Sequence, residues 1–166
     1  MRAIEADARR YAWSRGQAVW RIGLPIAALL EDMRGALGEG QHGLVRRNAR
    51  VIGQNCAVVV NLVVHQDRPL PAPRMRASWA LDRLADHPLG RRCRALLLGR
   101  RDVPAERLVE LAEQLVAEVR GLVGDVPDPL APDGYFPSLA AAREWLTLVE
   151  SVGEDGFLPR EWTRGA

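Results

Sequence analysis

Five polar side chains, Arg47, Arg50, Gln54, Asn61 and His65, recur at steps of three and four, with one gap at Val58, along the apolar run RRNARVIGQNCAVVVNLVVH. Their types can do chemistry together. A guanidinium offers a fixed fork of donors to carboxylate or phosphate, and an amide both donates and accepts. An imidazole moves protons near neutral pH. On a helix this spacing gathers them into one stripe, which is either a wet surface or the wall of a site. In the second case Arg50, Asn61 and His65 face the same space as Arg76 and Trp79, just beyond the proline-rich DRPLPAP. Arg50 is about 16 Å from Asn61 along a helix axis, so a small ligand reaches only part of the set. Asn61, His65, Arg76 and Trp79 form the tightest cluster. His65 would act as acid or base, and Arg50, Asn61, Arg76 and Trp79 would hold substrate.

Other constellations are weaker. Glu106, Glu110, Glu113 and Glu118 alternate with Arg107 and Arg120 at helical steps, the pattern of a solvated, ion-paired face. Asn48 and Asn55, nearer the apolar side, read as buried amides bonded across helices. Cys56 and Cys93 lie inside apolar helical patterns with no basic neighbour, which suits buried thiols rather than nucleophiles or a disulfide. His42, His65 and His87 stand at no metal-ligand spacing with one another or with a cysteine, so no metal is expected. Neither a phosphate-cradling turn nor a dinucleotide fingerprint is present, so no cofactor is expected. Core packing is the default for the five tryptophans, although tryptophans lining a bundle also suit a flat organic ligand.

The elements that must position these groups are helices. Proline, glycine and aspartate cut the chain into about six or seven helical pieces, and no period-two alternation lasts for a strand's length. The fold class is all-α, a single-domain bundle over residues 1–150 followed by a tail over 151–166. A first helix runs over about 4–22 and breaks at Gly23 to Pro25. A second carries Ile26, Leu29, Leu30, Met33 and Leu37 on one face. The third, about 43–66, is apolar over more than half its circumference and is expected at the centre. A fourth, RMRASWALDRLAD, closes at His87-Pro88, and a short fifth follows as LGRRCRALLLG. The sixth, about 104–123, turns Leu108, Leu111, Leu115, Val119 and Leu122 inward. A long loop leads to a last helix capped by Ser138.

Composition narrows the partners. The chain of 166 residues has a net charge of +2, with acids and bases interleaved. It has no strong field of one sign, so neither nucleic acid nor a membrane surface is an expected partner. The charged start and the lack of a long apolar run point to a cytoplasmic protein. All 23 basic residues are arginine, which suggests a GC-rich, actinobacterial genome.

A central helix ending in Asn61, a loop with Pro69, then RMRASWALDRLADHPLGRRCRALLLG with Arg76 and Leu81, then ERLVELAEQLVAEVRGLV, resembles the helical C-terminal domain of small-molecule nucleotidyltransferases, a HEPN-like bundle. The resemblance covers roughly residues 26–123. It implies a substrate-side domain, here without the catalytic α/β domain, since no Gly-Ser turn or paired aspartate ligands occur. HEPN ribonucleases use an Arg and a His more widely spaced than Arg83 and His87, so His87 reads as a helix stop, capping or exposed. The expectation is a stand-alone module that binds a small-molecule ligand and serves a separate nucleotidyltransferase catalytic partner. The alternative is a small tailoring or cyclising enzyme of an actinobacterial biosynthetic pathway, with a pocket between helices. Either arrangement allows a homodimer.

Overall fold

A computed structural model describes residues 17–19, 21–65, 77–98 and 102–124, with side chains from residue 80 onward in the third stretch. Five helices lie there, α1 (Pro25–Gly38), α2 (His42–Val64), α3 (Ala77–Arg83), α4 (Pro88–Leu98) and α5 (Ala105–Val123), and no strand occurs among the described residues. The fold is all-α. The count is lower than the expected six or seven because residues 4–16 and the final helix from Ser138 lie outside the described residues. Of the first expected helix, 17–19 and 21–23 are helical, and the break falls at Leu24 with Pro25 opening α1. Proline is tolerated there because its missing N–H would have no intrahelical partner.

α2 is central and touches each of the other four helices. Its two halves differ. From His42 to Asn55 it is amphipathic, with Val45, Ala49 and Ile52 inward and Arg47, Arg50 and Gln54 exposed, whereas every residue from Cys56 to Leu62 is buried. The core around it is aliphatic, and no described side chain is aromatic. In α1 Ile26, Leu30 and Met33 are buried, with Leu29 and Leu37 packed at the edge. In α5 the expected inner face holds for Leu108, Leu115 and Val119. Leu122 is 38 % exposed, and Val109, Ala112, Val116 and Val123 are buried instead. The buried face is wider than expected because α5 packs against α1, α2 and α4 together.

Two turns and two close approaches set the helix positions. After α1 the N–H of Gly40 bonds to the carbonyl of Leu37 at 3.0 Å, and that of Gln41 to Ala36 at 2.7 Å. This is the pairing of a helix-ending Schellman turn, which needs a left-handed residue. Gly40 supplies it at φ 69°, and α2 starts at once, so α1 and α2 form a tight hairpin. Gly53 lets α2 approach α4, since a Cβ there would sit 2.9 Å from the Cys93 carbonyl oxygen and 3.1 Å from the Leu97 nitrogen. Gly90 lets the start of α4 fold onto Leu84, whose carbonyl oxygen would be 2.1 Å from such a Cβ. His87 Nδ1 accepts from the Leu89 N–H at 3.2 Å, a side-chain cap on the first turn of α4. The capping role expected of His87 is therefore observed.

Candidate functional site

The C-terminal end of α2 meets α3, and there two of the expected site residues make definite bonds. α3 has seven residues, so its last four carbonyls make up more than half of its acceptors, and helix ends leave such carbonyls without intrahelical partners. Each is met from nearby. Asn61 Nδ2 donates to the Ala80 carbonyl at 3.4 Å. The Leu84 N–H donates to Leu81 at 3.2 Å, and Ala85 to Asp82 at 3.4 Å. His65 Nε2 lies 3.3 Å from the Arg83 carbonyl. A carbonyl can only accept, so Nε2 is the donor in this contact. Arg94 adds a long contact to the Leu81 carbonyl and an ion pair to Asp82 at 3.7 Å.

The polar stripe of α2 does not share one environment. Arg47, Arg50 and Gln54 are exposed, His65 is half-buried, and Asn61 is 1 % exposed. Asn61 Oδ1 has no hydrogen-bond partner among the described residues. The stripe splits because residues 56–62 of α2 are enclosed by the packed helices while its first half keeps one face open. Arg76 and the side chain of Trp79 lie outside the described residues, as does the loop between α2 and α3; the backbone of Trp79 is in α3. Asn61 and His65 are thus brought to one junction, and Arg50 is several turns away on an exposed face.

A concavity lies elsewhere, along the α1–α2 hairpin. It is an open groove of about 690 Å³. α1 contributes Glu31, Asp32, Ala36 and Glu39 to it, and α2 contributes Leu44, Arg47, Asn48 and Val51. Sequence reading missed it, since its walls come from two helices whose registry depends on the Gly40 turn. The visible signal was Asp32 and Glu39 at a heptad spacing on the polar side of α1. Asn48 was expected to be a buried amide bonded across helices. It is 6 % exposed, it lines the groove, and its side chain has no hydrogen-bond partner among the described residues. Asn55 meets the expectation better: its Oδ1 accepts from Arg21 Nη1 at 3.0 Å, and its Nδ2 donates to the Val51 carbonyl at 3.0 Å. Burial lowers the Arg21 pKa from its ordinary value. Gln17, four residues before Arg21, is fully buried, and neither of its amide atoms has a hydrogen-bond partner among the described residues.

The remaining polar groups are structural. Arg107 pairs with Glu110 at 2.6 Å, Arg34 with Glu113 at 2.8 Å, and Arg92 with Glu118, all exposed. Three of the four glutamates of α5 are thus ion-paired and exposed, but only Glu110 pairs within the helix, and Glu113 and Glu118 pair with arginines of α1 and α4. Both cysteines are free and buried. Burial pushes the Cys56 thiol well above its ordinary value, with Cys93 adding to the shift. Burial also raises Cys93, up to about 12, against a smaller opposing effect of its own backbone hydrogen bond. Thiols held protonated in this way are poor nucleophiles. Among the described residues no three metal-ligating side chains come together, and no helix is long and apolar enough to cross a membrane.

Compared with known proteins, the chain matches no family model, no curated protein and no solved structure.

Proposed function

We propose that this chain is a helical module that binds a small molecule and serves a catalytic partner. The observation that carries the reading is the groove between α1 and α2, with the buried, unbonded Asn48 in its wall. Small-molecule sites are concave, of roughly 300–1,000 Å³, and combine apolar lining with a few placed polar groups. Leu29, Leu44 and Val51 supply the first and Asn48 the second. With no partner among the described residues and its amide atoms reachable from the groove, Asn48 is available to bond a ligand there. The resemblance to the substrate-side domain of nucleotidyltransferases supports the partner half of the reading. Without a Gly-Ser turn or paired aspartate ligands, nucleotide transfer would need residues that this chain does not provide.

Chemical-shift mapping on the isotope-labelled chain against a set of polar small molecules tests the reading. Ligands are expected to move the amides of Asn48, Val51 and Leu44. If the whole set leaves them unmoved, the groove is only a surface furrow and the reading fails.

A second reading, a small tailoring or cyclising enzyme, is favoured by one observation. His65 is fixed through Nε2, with Nδ1 outside that contact, beside an Asn61 oxygen that lacks a donor among the described residues. Ligand-induced shifts confined to Asn61, His65 and α3 would favour that alternative.

A further inference from the structure

The polar groups of the groove are unevenly distributed. Glu31 and Asp32 stand in the middle of α1 and Glu39 at its C-cap. Asp32 and Glu39 lie about 10 Å apart along the helix axis at its usual rise. Glu31 and Asp32 have no ion-pair or hydrogen-bond partner among the described residues. Glu39 accepts from Gln41 Nε2 at 2.6 Å, which fixes its carboxylate at the hairpin end. Between the two acidic ends α1 presents only Gly35 and Ala36, and a Cβ on Gly35 would meet nothing within 4 Å. The facing wall supplies the apolar Leu44 and Val51. Arg47 is the one basic side chain on the lining, so three carboxylates face a single guanidinium. Asn48 is the second, independent feature, a buried amide facing the groove with no partner of its own.

We infer that this groove takes an aliphatic diamine or polyamine, with ammonium groups spaced to reach both acidic ends and a methylene chain between them. The inference rests on the reading of the groove as the binding site. An ammonium carries three donors and no acceptor. One end is met by the carboxylates of Glu31 and Asp32, the other by Glu39. In a polyamine Asn48 Oδ1 accepts from the intervening amine, and in either class the methylenes cover Leu29, Leu44 and Val51. A dicarboxylate of the same length would face three like charges, so the preference for cations comes from repulsion as well as attraction.

The test uses the labelled full chain at low salt, with spermidine as the probe and azelate, a dicarboxylate of comparable length, as comparator. Spermidine is expected to shift Asn48 and Val51, and azelate to leave them in place. The double variant Glu31→Gln/Asp32→Asn is expected to weaken spermidine binding about tenfold or more, the size of losing a charge-assisted hydrogen bond. Glu106→Gln, on the exposed face of α5, is expected to leave it unchanged. Equal weakening by Glu106→Gln would mean diffuse attraction and overturn the inference. If azelate or neutral compounds shift the groove amides while spermidine does not, the polyamine class is wrong and the groove still binds. If nothing shifts them, both fall.

Discussion

His65 and Arg83 tie the end of one helix to the end of another: the imidazole Nε2 donates to the Arg83 carbonyl at 3.3 Å, across 18 positions of sequence. The bond does two things at once. It satisfies the last carbonyl of α3, and it sets Nε2 as a donor of the His65 ring. A helix as short as α3 has little stability of its own, so bonds from α2 hold it in place. Replacing His65 by alanine is expected to cost about 1 kcal/mol of unfolding free energy, the usual worth of one hydrogen bond. The change would appear in denaturant titration, with faster amide exchange concentrated in α3. An unchanged exchange pattern would mean that α3 is held by its apolar contacts alone.

Glycine substitutions separate close packing from helix propensity. Gly53→Ala would place a methyl 2.9 Å from the Cys93 carbonyl oxygen, a backbone atom that cannot rotate away. Alanine gains about 1 kcal/mol of helix propensity over glycine, but parting α2 from α4 costs about 1–3 kcal/mol or more, so destabilisation wins. At Gly35 nothing opposes the propensity, and Gly35→Ala is expected to stabilise by about 0.5–1 kcal/mol. Thermal unfolding of the two variants should move in opposite directions.

The two buried thiols give stability a pH dependence of known sign. Cys93 rises from 9.0 to about 12 in the folded chain and Cys56 also lies well above its ordinary value. Above pH 9 the unfolded chain loses thiol protons that the folded chain keeps, so the folded state binds more protons and stability falls as pH rises. The contribution is whole below pH 9 and declines through the window up to about 12. The slope is on the order of 1 kcal/mol per pH unit for each thiol. Cys93→Ala should flatten the curve between pH 9 and 11, measured by denaturant titration at each pH. Native thiols should also resist alkylation at pH 8, and rapid labelling would contradict their burial.

The periodic helices were legible in the sequence and the site was not. α1, α2, α4 and α5 fall within one or two residues of their expected spans because each carries an apolar stripe bounded by proline or glycine. The stripe of α5 was misplaced at Leu122, since which edge of a helix is covered depends on neighbours that its own sequence does not name. The polar line on α2 divides between two environments for the same reason. Asn61 lies where α3 closes over the helix, and Arg50 lies on an exposed face. The groove depends on how α1 and α2 sit after a left-handed turn at Gly40, and only Asp32 and Glu39 hinted at it. The fate of His87 was readable because capping is a short-range demand of the chain itself, whereas of the two amides only Asn55 meets a partner distant in sequence.

Asn61 separates retention for stability from retention for a ligand. Its Nδ2 bond to Ala80 is long, and its Oδ1 is buried without a donor among the described residues. Leucine has nearly the same shape and no polar atom, so Asn61→Leu removes an unsatisfied oxygen while leaving one carbonyl less well bonded. These effects are each about 1–3 kcal/mol and opposite in sign, and the net change is expected within about 1 kcal/mol of zero. Asn61→Asp differs sharply. An uncompensated carboxylate in this place costs about 3 kcal/mol or more, and burial raises its folded pKa above the unfolded value. Stability of that variant should therefore be best at low pH and be lost as pH rises through the unfolded carboxyl range. Denaturant titrations at pH 4 and pH 7 would show it, and equal stability of Asn61→Asp at both would mean that Asn61 is reached by water. If Asn61→Leu keeps its stability but loses ligand-induced shifts at His65, the amide is there for binding, and the α2–α3 junction rather than the groove is the working site.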